Sequence, residues 1–167
     1  DAWNKGLKMS SGDIIYFLNA DDWIPENTLL NVSKVLNINL PQIAYGLCNR
    51  IDENDNFKSS FQNKFNKYRV IWNFGFSFTT CFSTRKVYEK VGEFNLKYKI
   101  AIDSDFLLRC INQNVNFIYN DHEVFMRTGG VSLKYRELAH KEYRKALINN
   151  GYSKLLVDIA YFFYKFT

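Results

Sequence analysis

Cysteine is scarce: the 167 residues hold three, Cys48, Cys81 and Cys110, far apart along the chain. They form no CxxC pair and no disulfide framework, so a reducing cytoplasm is the simplest setting. Histidine is scarcer still. His122 and His140 stand isolated and read as surface or core side chains rather than metal ligands. No apolar run approaches the roughly 20 residues a membrane-spanning helix needs, and no signal-peptide pattern is visible in the first residues. No dense Arg/Lys block or RNA-binding signature occurs. With a net charge of +5 and a pI of about 9.0, the chain suits an anionic ligand or membrane surface and gives no reason to expect nucleic acid. Internal repeats and low-complexity segments are absent too.

What remains is a chain rich in core-forming residues, 47% hydrophobic and 17% aromatic, which excludes disorder and fits one domain with a real core. The stretch Gly12–Asp22, GDIIYFLNADD, organises the rest. Its apolar run Ile14–Leu18 predicts a strand buried on both faces, as in a parallel sheet. Asp21 and Asp22 would then lie at the strand's carboxyl end, where α/β sheets gather ligands. Trp23 and Pro25 follow, with Pro25 suited to open a helix.

Taken in order, Asp1 caps a short helix ending near Gly6. Pro25–Leu36 reads as a helix with Leu29, Val32, Val35 and Leu36 on one face. Gln42–Ile51 is a strand, and Asp52–Asn56 a hairpin tip. Phe57–Lys67 has no clean period and reads as a mobile loop; Val70–Phe82 is extended. Ser83 or Thr84 starts a helix over Arg85–Val91 that Gly92 stops. A helix is predicted from about Ser104 to Gln113, then strands over Val115–Tyr119 and His122–Met126. Gly129–Gly130 turns the chain. Ser132 caps a basic helix to about Asn149, and the tail is an apolar, aromatic helix. Helices alternating with strands in the first half argue an α/β sheet.

Three constellations carry chemistry. In Asn19–Asp22, paired carboxylates are hard oxygen ligands suited to Mg²⁺ or Mn²⁺; alone, they equally read as a helix cap beside a solvated acid. Asp103-Ser104-Asp105 precedes a helix, where a carboxylate could take a proton from an acceptor hydroxyl or act as ordinary capping. Arg127–Ser132 contains a Gly pair that could cradle phosphate or simply turn.

DAWNKG, SGDIIYFLNADDWIPENTL and STRKVYEKVGEFNLKYKIAIDSDFLLR, in this order and spacing, resemble glycosyltransferase family 2 with its GT-A fold. The resemblance spans roughly Asp1 to Ser132 and resolves the first two ambiguities. It implies a partial GT-A mixed sheet flanked by helices over residues 1–131, and a C-terminal helical extension over 132–167. Asn19–Asp22 would be the DXD-type motif, with Asp22 on a Mn²⁺ or Mg²⁺ ion and Asp21 beside it and the donor sugar. Asp103 matches the catalytic base of inverting members and is expected to face the same cleft as Asp22. Asp105 and Arg109 would shape the acceptor side, and Asn4 and Lys5 lie near the nucleotide. The implied partners are a nucleotide-sugar donor and a saccharide or lipid-linked saccharide acceptor. The implied setting is bacterial surface polysaccharide or lipopolysaccharide synthesis in the cytoplasm, at the inner membrane face if the tail binds lipid.

Two positions depart from the family pattern. Thr128 stands where members often carry His, and Phe78–Cys81 contains none. The family's opening strand, its uridine-contacting loop and the next helix are expected before Asp1, so this chain by itself is not expected to transfer sugar. Two other readings compete. One is a non-catalytic membrane-associated module built on the basic helix and aromatic tail. The other is a nucleotidyltransferase, which would need a Gly-rich phosphate loop near a basic cluster; none is visible.

Overall fold

The computed structural model describes residues 1–165. Its elements run α1 (Ala2–Met9), β1 (Ile14–Tyr16), α2 (Thr28–Val35), β2 (Gln42–Ile51), β3 (Phe57–Phe61), a 3-10 turn (Phe78–Thr80), β4 (Phe82–Thr84), α3 (Arg85–Val91), α4 (Ile102–Asn112), β5 (Asn116–Arg127), α5 (Val131–Lys134), α6 (Arg136–Asn149) and α7 (Lys154–Lys165). A five-stranded mixed sheet is flanked by these helices, an architecture consistent with a GT-A-like fold.

β2 is the axis of the sheet. It runs parallel to β5 from Gln42↔Asn116 to Ile51↔Arg127. It also pairs antiparallel with β4 at Ile43 and Ala44, and with β3 from Cys48 to Ile51. Nearly every β2 residue is buried, as a strand covered on both faces must be. That role was expected of Ile14–Leu18. Instead β1 has three residues and pairs antiparallel with β4. The run is apolar for another reason: Phe17 leaves the strand and packs against Trp3, Phe78 and Phe94, while Leu18 is 50% exposed.

Other boundaries shift for local reasons. α1 continues past Gly6 to Met9, and Asp1 makes no side-chain cap; it pairs with Lys5 at 2.8 Å. Pro25 lies in a turn before α2, which buries Val32, with Leu36 buried just past its end; Leu29 and Val35 are exposed. Phe57–Phe61 is a hairpin strand rather than a loop, closed by Asp52, whose carbonyl and carboxylate gather turn N–H groups. Val70–Phe82 is not one extended run, since it contains the 3-10 turn. α3 spans Arg85–Val91 as predicted and ends at Gly92, φ 86°. The two strands expected after α4 are one, β5. Between the pairs Tyr45↔Tyr119 and Leu47↔Glu123 the register slips, so Asn120–His122 bulge without ending the strand.

The main core joins Leu7, Ile15, Ile43, Phe78, Val87, Phe106 and Leu108 to Ala146, Leu147 and Val157. α6 and α7 therefore close the same core as the sheet. α7 buries Val157 and Ala160, while Leu155, Leu156, Ile159, Phe162 and Phe163 face outward. Phe166 and the side chain of Ser132 lie outside the described residues.

Candidate active site

The acidic tip after β1 is held against the far end of β5. Trp23 bridges to Phe125 through two backbone hydrogen bonds, 3.0 and 2.9 Å, and its ring stacks on Phe125 at 3.8 Å. This places Asp22 beside Arg127, at the carboxyl end of the parallel pair β2–β5. Asp22 is 8% exposed. Asn19 Nδ2 donates to its Oδ2 (2.7 Å), and the Arg127 backbone N–H donates to its Oδ1 (3.1 Å). Asp21 is exposed. The Arg127 guanidinium is fixed to the β2–β3 hairpin, through the Asp52 carbonyl at 2.8 Å and Asp55 at 2.7 Å. In the segment read as either a phosphate cradle or a simple turn, Arg127 is a strut between Asp22 and the hairpin, and Gly129 makes the turn at φ 102°.

These residues also bear on a divalent ion. Among the described residues no group of three or more His, Cys, Asp or Glu converges. Each Asp22 oxygen accepts one hydrogen bond and keeps a lone pair. Such a donor set fits an ion that draws most of its ligands from phosphate and water, as Mg²⁺ commonly does.

The second acidic segment opens α4, with Asp103 and Asp105 in the first turn. Their surroundings differ sharply. Asp105, 3% exposed, pairs with Arg109 Nε at 2.9 Å and accepts from Asn150 Nδ2 at 3.3 Å. Arg109 then donates to the carbonyls of Val91 and Glu93, both at 2.9 Å. From the other side, the Asn4 carboxamide clamps Phe94, donating to its carbonyl and accepting from its N–H, both at 2.9 Å. Asn4, Asp105 and Arg109 thus converge on one loop, residues 91–94. Lys5 stays exposed, paired with Asp1.

Asp103 lies in the wall of a cavity of about 310 Å³ between residues 71–76, α4, α6 and α7. Ser104 donates to its Oδ1 through the backbone (2.7 Å) and the hydroxyl (3.3 Å). Among the described residues Oδ2 receives no hydrogen bond and Asp103 makes no ion pair. Burial pushes its carboxyl above the usual range, against the pull of the Ser104 hydrogen bonds and of its own backbone N–H. Asp22 is not in the wall of this cavity. The segment Ser77–Cys81 borders both surroundings. Thr79 accepts the Tyr16 hydroxyl (2.9 Å) and touches Cys48; burial first, and then the Asp22 charge, push the Tyr16 phenol up. Cys81 is pushed up by burial, then by Cys110 and the Asp103 charge.

One residue escaped the sequence reading. Glu142 of α6 accepts from the N–H groups of Lys99, Ile100 and Ala101 at 2.8–3.0 Å, fixing the chain just before Asp103. Its partners lie some forty residues upstream, and no local pattern marks them.

Two curated relatives are each named "PGL/p-HBAD biosynthesis glycosyltransferase", from Mycobacterium bovis (strain BCG / Pasteur 1173P2) and Mycobacterium tuberculosis (strain ATCC 25177 / H37Ra). Each is 28% identical over 152 residues, covering 88% of this chain and 57% of the relative. The chain therefore spans somewhat over half the length of the curated relatives it matches. The sequence model of Glycosyl transferase family 2 matches residues 1–105. That match takes in both acidic segments in order, and the chain belongs to glycosyl transferase family 2.

Proposed function

We propose that the protein is an inverting glycosyltransferase. It moves a sugar from a nucleotide-diphosphate donor to an acceptor hydroxyl, in the assembly of a bacterial surface polysaccharide or lipopolysaccharide. The observation that carries this reading is Asp103: a cavity-wall carboxylate with one oxygen unengaged and a raised proton affinity. Those are the properties of a general base. Asp103 takes the acceptor O–H proton as that oxygen attacks the anomeric carbon, whose bond to the diphosphate oxygen breaks with its electron pair. Asp22 and the neighbouring Asp21 would hold Mn²⁺ or Mg²⁺, which when bound neutralises charge on the departing diphosphate. Asn19 and the Arg127 N–H hold Asp22 in place. Asn4, Asp105 and Arg109 act through the 91–94 loop, as positioning residues. Lys5, exposed on α1, is available to the nucleotide.

The apolar face of α7 supports a second element of the reading, peripheral contact with the inner membrane face. Leu155, Leu156, Phe162 and Phe163 are each more than half exposed, as in an interfacial helix.

The test is turnover in the full-length protein across UDP- and GDP-sugars, with and without Mn²⁺. Asp103→Asn is expected to cut kcat by about 10²-fold or more with donor affinity nearly intact, and Asp22→Asn to weaken metal-dependent donor binding. Near-normal turnover in Asp103→Asn would remove the base assignment.

A further inference from the structure

The stretch between β3 and the 3-10 turn carries charge of one sign. From Asp55 to Glu89 the sequence has no acidic residue between, and Lys64, Lys67 and Arg69 fall close together within it. All three are exposed, and among the described residues none makes an ion pair or a side-chain hydrogen bond. Lys67 lies over the neighbouring Tyr68 ring at 5.2 Å. The stretch is nonetheless firmly built. Residues 63–75 form a closed loop whose ends meet, the Asn63 N–H donating to the Gly75 carbonyl at 2.6 Å. Two side chains pin it to the core. Phe65 stacks on Phe117 at 4.5 Å, and its N–H donates to the Tyr45 hydroxyl at 2.8 Å. Val70 is fully buried, and its carbonyl accepts from the Tyr143 hydroxyl. Between these anchors Asn66 folds the tip, taking the Arg69 N–H on its carbonyl and the Tyr68 N–H on its side chain. Compact loops of this kind frequently carry function.

The tip is aromatic as well as basic. Tyr68 is 79% exposed and Trp72 is half-exposed. Exposed rings beside unpaired cations add nothing to the core. They suit a membrane interface, where Tyr and Trp sit at headgroup level and anionic lipid attracts Lys and Arg. The loop is also well placed for that partner. Trp72 and Asn73 line one cavity with Val157, Ala160 and Tyr161 of α7, so the loop and α7 are neighbours across it. The acids of α6 and α7 do not oppose an anionic surface there. Glu137 is paired with Lys141 and Asp158 with Arg144, while Glu142 holds the backbone of residues 99–101.

We infer that the loop of residues 63–75 is a second membrane-contact surface, which docks on an anionic lipid bilayer through Lys64, Lys67 and Arg69 and sets Tyr68 and Trp72 among the headgroups. The inference rests on the peripheral contact read from α7 and adds to it a segment and a requirement for lipid charge. α7 supplies apolar area and the loop supplies charge. Because the loop is closed and pinned before docking, little ordering entropy opposes the contact. Each cation brought to an anionic surface strengthens binding about fivefold, an effect that salt screens.

The experiment is vesicle partitioning of the full-length protein. Phosphatidylcholine vesicles containing phosphatidylglycerol are expected to bind it at least tenfold more tightly than pure phosphatidylcholine vesicles. Lys64→Ser, Lys67→Ser and Arg69→Ser together are expected to remove that preference. A second readout locates the loop directly. The three native cysteines are buried, so Tyr68→Cys can be labelled selectively with an environment-sensitive dye, whose emission is expected to shift to the blue on anionic vesicles. Unchanged affinity of the triple variant, or no shift at position 68, would overturn the inference. So would release of the protein by glycerol phosphate at matched ionic strength, which would assign the cations to a soluble phosphate. If the unaltered protein binds no vesicle, the membrane reading falls as a whole. If it binds and the triple variant binds equally well, the contact through α7 stands and the loop is excluded.

Discussion

At Gly46 a methyl group would stand 2.2 Å from the His122 carbonyl oxygen and 2.9 Å from its ring. β2 is the central strand and β5 is paired along its length with it, so the backbone cannot yield cheaply. Gly46→Ala is expected to cost about 3 kcal/mol, read as a lower urea midpoint; an unchanged midpoint would show that the bulge relaxes freely. His122 itself is held neutral. Burial lowers its pKa. Because Thr80 presents a carbonyl that can only accept, Nε2 carries the hydrogen of the 2.8 Å bond. Asp103 behaves oppositely as an acid. Its folded-state pKa is raised, so the folded chain holds this proton more tightly than the unfolded chain, and ionisation costs stability as pH rises from the unfolded toward the folded value. Asp103→Asn is therefore expected to melt higher than the unaltered chain at pH 7 and to lose that advantage below the ordinary Asp value of about 3.9. The rate runs the other way, falling on the acid side as the base is protonated. An acid limb at or below the ordinary Asp range would contradict the burial argument. That Asp103 was worth singling out was legible in IDSDFLLR; that its carboxyl is raised was not, because burial is contributed by α6, α7 and residues 71–76.

At the scale of elements, Glu142 ties α6 to the start of α4. Burial alone would raise its pKa, but three backbone N–H groups outweigh this and lower it. For a depressed carboxylate the sign is fixed: the stabilisation is present above the unfolded pKa and is lost as pH falls through the folded one. Glu142→Ala is expected to cost about 2 kcal/mol at neutral pH, and to speed amide exchange at Lys99, Ile100 and Ala101. Unchanged exchange at those three sites would mean that the carboxylate does not hold the loop. Elements were legible where local chemistry suffices. β2 read correctly from an apolar run bounded by Pro41 and the Asp52–Asn56 turn, and α3 from Thr84 and Gly92. β3 was missed because FKSSF has no alternation of its own. Only one of its five residues rises above a polar or exposed setting, and pairing with Cys48–Ile51 makes it a strand. β5 was split because Asn120 and Asp121 look like a turn, whereas they occupy a bulge opposite Gly46.

For the whole molecule, α6 and α7 supply Ala146, Leu147 and Val157 to the core of the sheet, and α7 turns its wider apolar face to solvent. Vesicle flotation checks what that face does. The chain is expected to float with phosphatidylglycerol vesicles at low salt, and Phe162→Ser with Phe163→Ser to abolish it; a chain that stays at the bottom of the gradient would remove the membrane contact. The periodicity of LLVDIAYFF declared an amphipathic helix but not its direction, since two faces of that helix are apolar and only the narrow one, Val157 and Ala160, fits against α6. The sequence by itself determined the family, the order of the two acidic segments and most helices, because motifs, caps and periodicity are written in adjacent residues. Only the tertiary structure decided that β2 rather than β1 is the buried axis, that Asp22 is gripped by Asn19 and the end of β5, and that Asp103 opens on an apolar cavity. Each of these depends on partners tens of residues away, brought together by strand pairing and core burial that no local window records.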